Sequence, residues 1–108
     1  MIIKVTDIID SPFDDDDALA VAMRLKALAD PMRVKIMSLL FSSRPGEETS
    51  GDLAAVLDLS ESTVSHHLGQ LRKAGLVLSD RRGMNVFHRV KPEALQALCV
   101  VLDPNCCA

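Results

Sequence analysis

Three groups of residues carry side chains that could do chemistry. The first is the run Ser60-Glu61-Ser62-Thr63-Val64-Ser65-His66-His67-Leu68, continued by Gln70 and Lys73. Hydroxyl, imidazole and amide groups at this density can reach base edges and phosphates without repelling a polyanion. Ser60, Ser62, Thr63, Ser65, His66, Gln70 and Lys73 are therefore candidate DNA contacts, with Glu61 the one acidic exception. Ser and Thr are mediocre inside a helix, so an ordinary capped surface helix would not collect so many. A hydroxyl-rich first turn also aims its helix N-terminus at phosphate. The second group is Arg81-Arg82-Gly83, a charged turn suited to a phosphate or the minor groove, or simply to solvent. The third is Cys99, Cys106 and Cys107 at the end of the chain. Neighbouring cysteines pair with each other only under strain, so all three are read as thiols, and thiolates prefer soft ions.

Other constellations are weaker. His66 and His67 lie about 100° apart on a helix, too far round to share one metal. The run Asp14–Asp17 suits the positive end of a helix dipole better than a metal, because tandem acids on one turn diverge. The chain shows no Ser/His/Asp set, no phosphate-binding glycine loop and no paired acids in a plausible cleft, so an enzyme is not expected.

The elements that must hold these residues follow from pattern and punctuation. Residues 1–17 read as an N-terminal arm, and a helix is expected from about Ala18 to Ala29 with Leu19, Ala22, Met23 and Lys26 forming its stripe. Asp30-Pro31 combines a cap with a favoured first helical residue. It opens a helix to about Ser42, with Val34, Ile36, Met37, Leu39, Leu40 and Phe41 turned inward. Arg44-Pro45-Gly46 breaks it, and Glu47–Ser50 reads as a polar loop. A short helix over about Ser50–Leu57 and the turn Asp58-Leu59 lead to Ser60, which caps a helix over about Glu61–Ala74. Val64, Leu68 and Leu71 form its apolar stripe, and Gly75 stops it. Two short helices joined by a tight turn read as a helix-turn-helix. Leu76–Asp80 and Met84–Val90 read as the strands of a hairpin wing. Pro92 starts a final helix to about Leu102, whose Leu95, Leu98 and Leu102 form a stripe suited to a dimer interface. The expected fold is mainly α: four helices, a β-hairpin wing and a fifth helix, in a homodimer. Residues 18–102 form one domain and 103–108 a thiol-bearing tail.

Composition agrees. The chain has 108 residues, 48% of them hydrophobic, with three Phe and neither Trp nor Tyr, so its core must be aliphatic. The net charge of −3 hides an asymmetry. Residues 1–30 hold three cations against seven aspartates, whereas residues 60–91 hold six cations against two acids. The basic stretch is where a DNA surface would lie, and a dimer would present it twice. No apolar run approaches a membrane span and no signal-peptide pattern opens the chain, so a cytoplasmic location is expected.

Three segments together carry a family resemblance. They are Ala27-Leu28-Ala29-Asp30-Pro31-Met32-Arg33-Val34-Lys35-Ile36-Met37, Ser62-Thr63-Val64-Ser65-His66-His67-Leu68, and Leu71-Arg72-Lys73-Ala74-Gly75-Leu76-Val77. They resemble the arsenic-repressor (ArsR/SmtB) family of metal-sensing regulators, over roughly Leu19 to Leu102. The resemblance implies a winged-helix homodimer built on its first and last helices, which represses a resistance operon until an inducer ion releases it from operator DNA. One family site, a Cys-x-Cys pair before the recognition helix, is missing: Asp52–Leu57 has no thiol. Another, with Asp and His on the last helix, is also missing, because Glu93–Leu102 has no His. The remaining set, Cys99 with Cys106 and Cys107, is similar to members whose arsenite site uses a vicinal cysteine pair near the C-terminus plus a third thiol. Three sulfurs satisfy As(III) or Sb(III), whereas zinc wants a fourth ligand. Cys99 would otherwise be a small core residue and the pair an incidental tail. A repressor of the same fold that responds to thiol oxidation or sulfide is the alternative.

Overall fold

The computed structural model describes residues 15–102. Helix α1 (Asp15–Leu28) is followed by α2 (Pro31–Ser42), strand β1 (Glu48–Thr49), α3 (Ser50–Leu57), α4 (Glu61–Lys73), β2 (Val77–Arg82), β3 (Asn85–Val90) and α5 (Pro92–Leu102). The strands form an antiparallel sheet in the order β1-β3-β2. Five helices with a β-hairpin in this order make a winged helix-turn-helix.

Local chemistry explains most boundaries. The Asp30 carboxylate accepts hydrogen bonds from the backbone N–H of Met32 at 2.8 Å and Arg33 at 3.2 Å, capping α2. Those bonds also hold the Asp30 carboxyl below its usual pKa, the Arg33 N–H most of all. Thr49 caps α3 by accepting from Asp52 N–H at 3.1 Å, and Ser60 caps α4 by accepting from Thr63 N–H at 3.1 Å. The tight turn of the helix-turn-helix is made by Asp58 in the left-handed region, φ 55°. A short polar side chain tolerates that conformation better than most.

The core is aliphatic, as expected. Ile36, Met37 and Leu40 of α2 meet Leu53 and Ala54 of α3 and Val64, Leu68 and Leu71 of α4, with Leu76, Val77, Ala94 and Leu98 closing the far side. This places α4 with one face sealed and the other turned out.

Several expectations shift. The first helix begins at Asp15, so Asp15–Asp17 are its acidic first turn and not part of an arm. Residues 1–14 and the tail 103–108 lie outside the described residues. Leu19 and Met23, read as its stripe, are 61% and 58% exposed, and Val21 is the residue α1 buries. Val34 and Phe41 are also exposed, because α2 turns Ile36, Met37 and Leu40 to the core. Glu48–Thr49, expected as loop, pairs with His88 and Phe87 of β3. The hairpin strands run on to Arg82 and resume at Asn85, so the turn is Gly83-Met84, and Arg81 and Arg82 belong to β2. Gly83 takes φ 63°, which a two-residue hairpin turn demands of its first residue. Leu98, expected at a dimer surface, is 6% exposed inside one protomer.

Candidate nucleic-acid interface

Helix α4 buries Val64, Leu68 and Leu71, and the opposite face carries Ser62, His66 and Lys73, all exposed. Gly69 sits between His66 and Lys73 on that face. A Cβ added there would meet only the Arg72 guanidinium, at 3.9 Å. A mid-helix glycine costs about 1 kcal/mol against alanine. No packing contact explains it here, so its structural effect is a bare strip of backbone on the outward face.

The flanks of α4 differ. Ser65 faces the wing and lines a cleft of about 310 Å³ with Thr49, Ser50, Gly51, Glu61, Met84, Asn85 and Val86. Gln70 lies on the other flank, where with Lys73 it lines a cleft against α1. Ser60 and Thr63 are occupied locally: their hydroxyls lie 2.7 Å apart, and Ser60 also lies 3.2 Å from the Ser62 hydroxyl. They shape the helix start, leaving Ser62, Ser65 and His66 as the outward polar groups. His66 and His67 diverge, as their spacing requires. His66 is exposed, while His67 accepts from Arg33 Nε at 3.2 Å and so ties α4 to the start of α2.

The two wing arginines separate in role. Arg82 pairs with the Glu47 carboxylate, contacts Asp80 at 3.3 Å and lies 4.0 Å over the Phe87 ring. The Arg82 hydrogen bond holds the Glu47 carboxyl below its usual pKa, and Glu47 in turn raises that of Arg82. Arg82 thus braces the wing to the segment before β1 while its side chain stays half exposed. Arg81 is exposed and makes one weak contact, Nε to Gly83 O at 3.4 Å. It is opposite Val86 in the register, and Val86 lines the cleft beside Ser65. Alternation along a strand puts that pair on the face away from Arg82.

Sequence reading missed a buried network. His88, 4% exposed, lies opposite Ser79 on β2. Its Nδ1 is 2.8 Å from Ser79 Oγ and its Nε2 is 3.0 Å from Ser50 Oγ. Arg72 Nη1 donates to the same Ser79 hydroxyl at 3.2 Å. One imidazole therefore joins β3, β2, the start of α3 and the end of α4. Burial pushes the His88 pKa below its ordinary value, and the nearby Arg72 charge adds to this. The available signal was its inward register between Val86 and Val90.

On α5, Cys99 is half-buried and disulfide-bonded, not the thiol expected. Cys106 and Cys107 lie outside the described residues, so their role as ligands remains an expectation. Among the described residues there is no group of three or more His, Cys, Asp or Glu able to hold a metal ion, and no helix is long and apolar enough to cross a membrane.

Comparison with known proteins agrees with this geometry. Residues 30–79 match the profile described as bacterial regulatory protein, arsR family. The chain is 35% identical over 71 residues to the transcriptional repressor SdpR of Bacillus subtilis, covering 66% of this chain and 76% of that repressor. It is 42% identical over 78 residues to the arsenical resistance operon repressor of Escherichia coli, covering 72% of this chain and 65% of that one. Among solved structures, a homodimeric winged helix-turn-helix DNA-binding domain from Mycobacterium bovis superposes with a TM-score of 0.67 at 28% identity, covering 87% of both chains. The AntR antimony-specific transcriptional repressor gives 0.68 at 25% identity, covering 94% of this chain and 91% of that one. On this ground the chain belongs to the arsR family of bacterial regulatory proteins, which are transcriptional regulators and not enzymes.

Proposed function

We propose that this chain is a cytoplasmic, homodimeric repressor of a metalloid-resistance operon, released from its operator by arsenite or antimonite bound to Cys99, Cys106 and Cys107. The observation that carries the DNA reading is the outward face of α4, with Ser62, His66, bare Gly69 and Lys73, beside a wing whose Arg81 has no acidic partner among the described residues. Ser62, Ser65 and His66 read base edges, and Arg81 and Lys73 hold phosphates. Exposed Leu19 on α1 contributes to the apolar surface of the dimer. Support for the inducer is the set of relatives named for arsenical resistance and antimony. As(III) accepts three thiolate sulfurs and would tie the chain end to α5.

The disulfide at Cys99 favours a second reading, in which an oxidant takes two electrons and two protons from a thiol pair and the disulfide itself alters DNA affinity. One experiment separates them. The reduced protein is bound to labelled duplex from upstream of its own coding sequence and then titrated with arsenite or with peroxide. Release by arsenite, with thiols protected from alkylation, supports the first reading. Release by peroxide alone, with loss of thiols, supports the second.

A further inference from the structure

The cleft on the far side of α4 from the wing has a volume of about 400 Å³. Lys26 from α1, Arg33 from α2 and Gln70 and Lys73 from α4 line it around an apolar floor that includes Met23 and Ala27. Among the described residues no carboxylate lines it. Asp30, which caps α2 next to Arg33, accepts from the backbone N–H of Met32 and Arg33. Arg33 is held in place by its bonds to His67 Nδ1 at 3.2 Å and Ala27 O at 3.3 Å. Lys26 and Lys73 have no ion pair among the described residues. Three cations from three different helices thus line one cleft, and Asp30 is the acid whose charge interacts with one of them, Arg33.

We propose that Lys26, Arg33 and Lys73 form a second phosphodiester-binding flank, which grips the DNA backbone on the side of α4 opposite the wing. The proposal rests on α4 being the recognition helix. An α-helix with side chains is about 10–12 Å across. The major groove is about 12 Å wide, so a helix that fills it has a phosphate backbone along each side. Arg81 on the wing faces one backbone. Ser65 and Gln70, which point to the two flanks, are about 140° apart around the α4 axis, so the α1 cleft faces the other. The long apolar stems of Lys26 and Lys73 pack along the cleft walls while their ammonium groups stay in water, where phosphate oxygens can replace that water.

The test uses the full-length protein and a random-sequence duplex, so no operator need be known. The slope of log affinity against log salt is measured for the parent, Lys26→Ala, Lys73→Ala and the pair, with Arg81→Ala and Lys35→Ala alongside. Lys35 is an exposed α2 lysine outside the cleft and corrects for net charge. Each phosphate contact withdrawn should flatten the slope by about 0.9. The expected result is flattening by Lys26→Ala and Lys73→Ala, additive with Arg81→Ala, and none by Lys35→Ala. An unchanged slope in the cleft variants while Arg81→Ala flattens it overturns the second flank alone. So does equal flattening by Lys35→Ala. If inorganic phosphate raises the thermal midpoint of the parent but not of the pair, with no change in slope, the cleft takes a free anion and the proposal fails. If the parent itself shows no salt-dependent duplex binding, the recognition-helix reading fails first.

Discussion

Replacing His88 by Phe keeps the ring volume at a 4% exposed site and deletes both hydroxyl contacts, at 2.8 and 3.0 Å. Ser79 keeps its bond from Arg72, whereas Ser50 loses its only described side-chain partner. Two net hydrogen bonds at about 0.5–1.5 kcal/mol each give a loss of about 1–3 kcal/mol. For a domain of this size each kcal/mol lowers the thermal midpoint by about 4–8 °C. The pH dependence supplies a second signature. Burial first, and Arg72 second, depress the folded-state pKa of His88 below the ordinary 6.5. Above that value the imidazole is neutral in both states and its contribution is complete. As pH falls below it, the unfolded chain takes up the proton first, so stability declines until the folded pKa is passed. Urea unfolding from pH 7.5 to 5, at one protein concentration because a dimer's stability depends on it, should show a steeper loss in the parent than in His88→Phe. Ser79→Ala should cost less in the Phe background than in the parent. Equal stability of parent and variant at pH 7.5, with parallel pH profiles, would refute the idea that this imidazole joins wing to helix-turn-helix.

Four further outcomes are expected. Ser65→Ala or His66→Ala should cost about 1–3 kcal/mol of operator affinity per lost base contact, with the circular dichroism spectrum unchanged; intact operator affinity in footprinting would remove these residues from the reading face. Gly69→Ala should raise the unfolding free energy by up to about 1 kcal/mol yet weaken operator binding, a combination that simple helix stabilisation does not produce. Leu19→Glu should yield a folded monomer by light scattering, whereas Leu98→Glu should unfold the protomer, since a buried unpaired charge in its core is strongly destabilising. Cys106→Ser with Cys107→Ser should preserve repression and abolish release by arsenite; release in that variant would place the inducer elsewhere.

Local chemistry was legible in the chain alone. Asp30-Pro31, Ser60 and Gly75 act on backbone groups within a few residues, so the limits of α2, α3 and α4 and the exposed polar face of α4 follow without knowing what lies across the molecule. The family motifs are local in the same sense, being short segments whose order can be read directly. Tertiary structure decided what depends on distant partners. Arg82 and Arg81 are neighbours of equal charge, yet Glu47, 35 residues earlier, pairs with Arg82 and not with Arg81. His88 was one polar residue in a strand until Ser50, Ser79 and Arg72 closed around it. Two residues, Glu48 and Thr49, become a strand only because β3 lies alongside. Leu19 and Leu98 are equally apolar in the sequence. Only packing buries Leu98 in the protomer and leaves Leu19 for another surface, because periodicity identifies an apolar face but not what covers it.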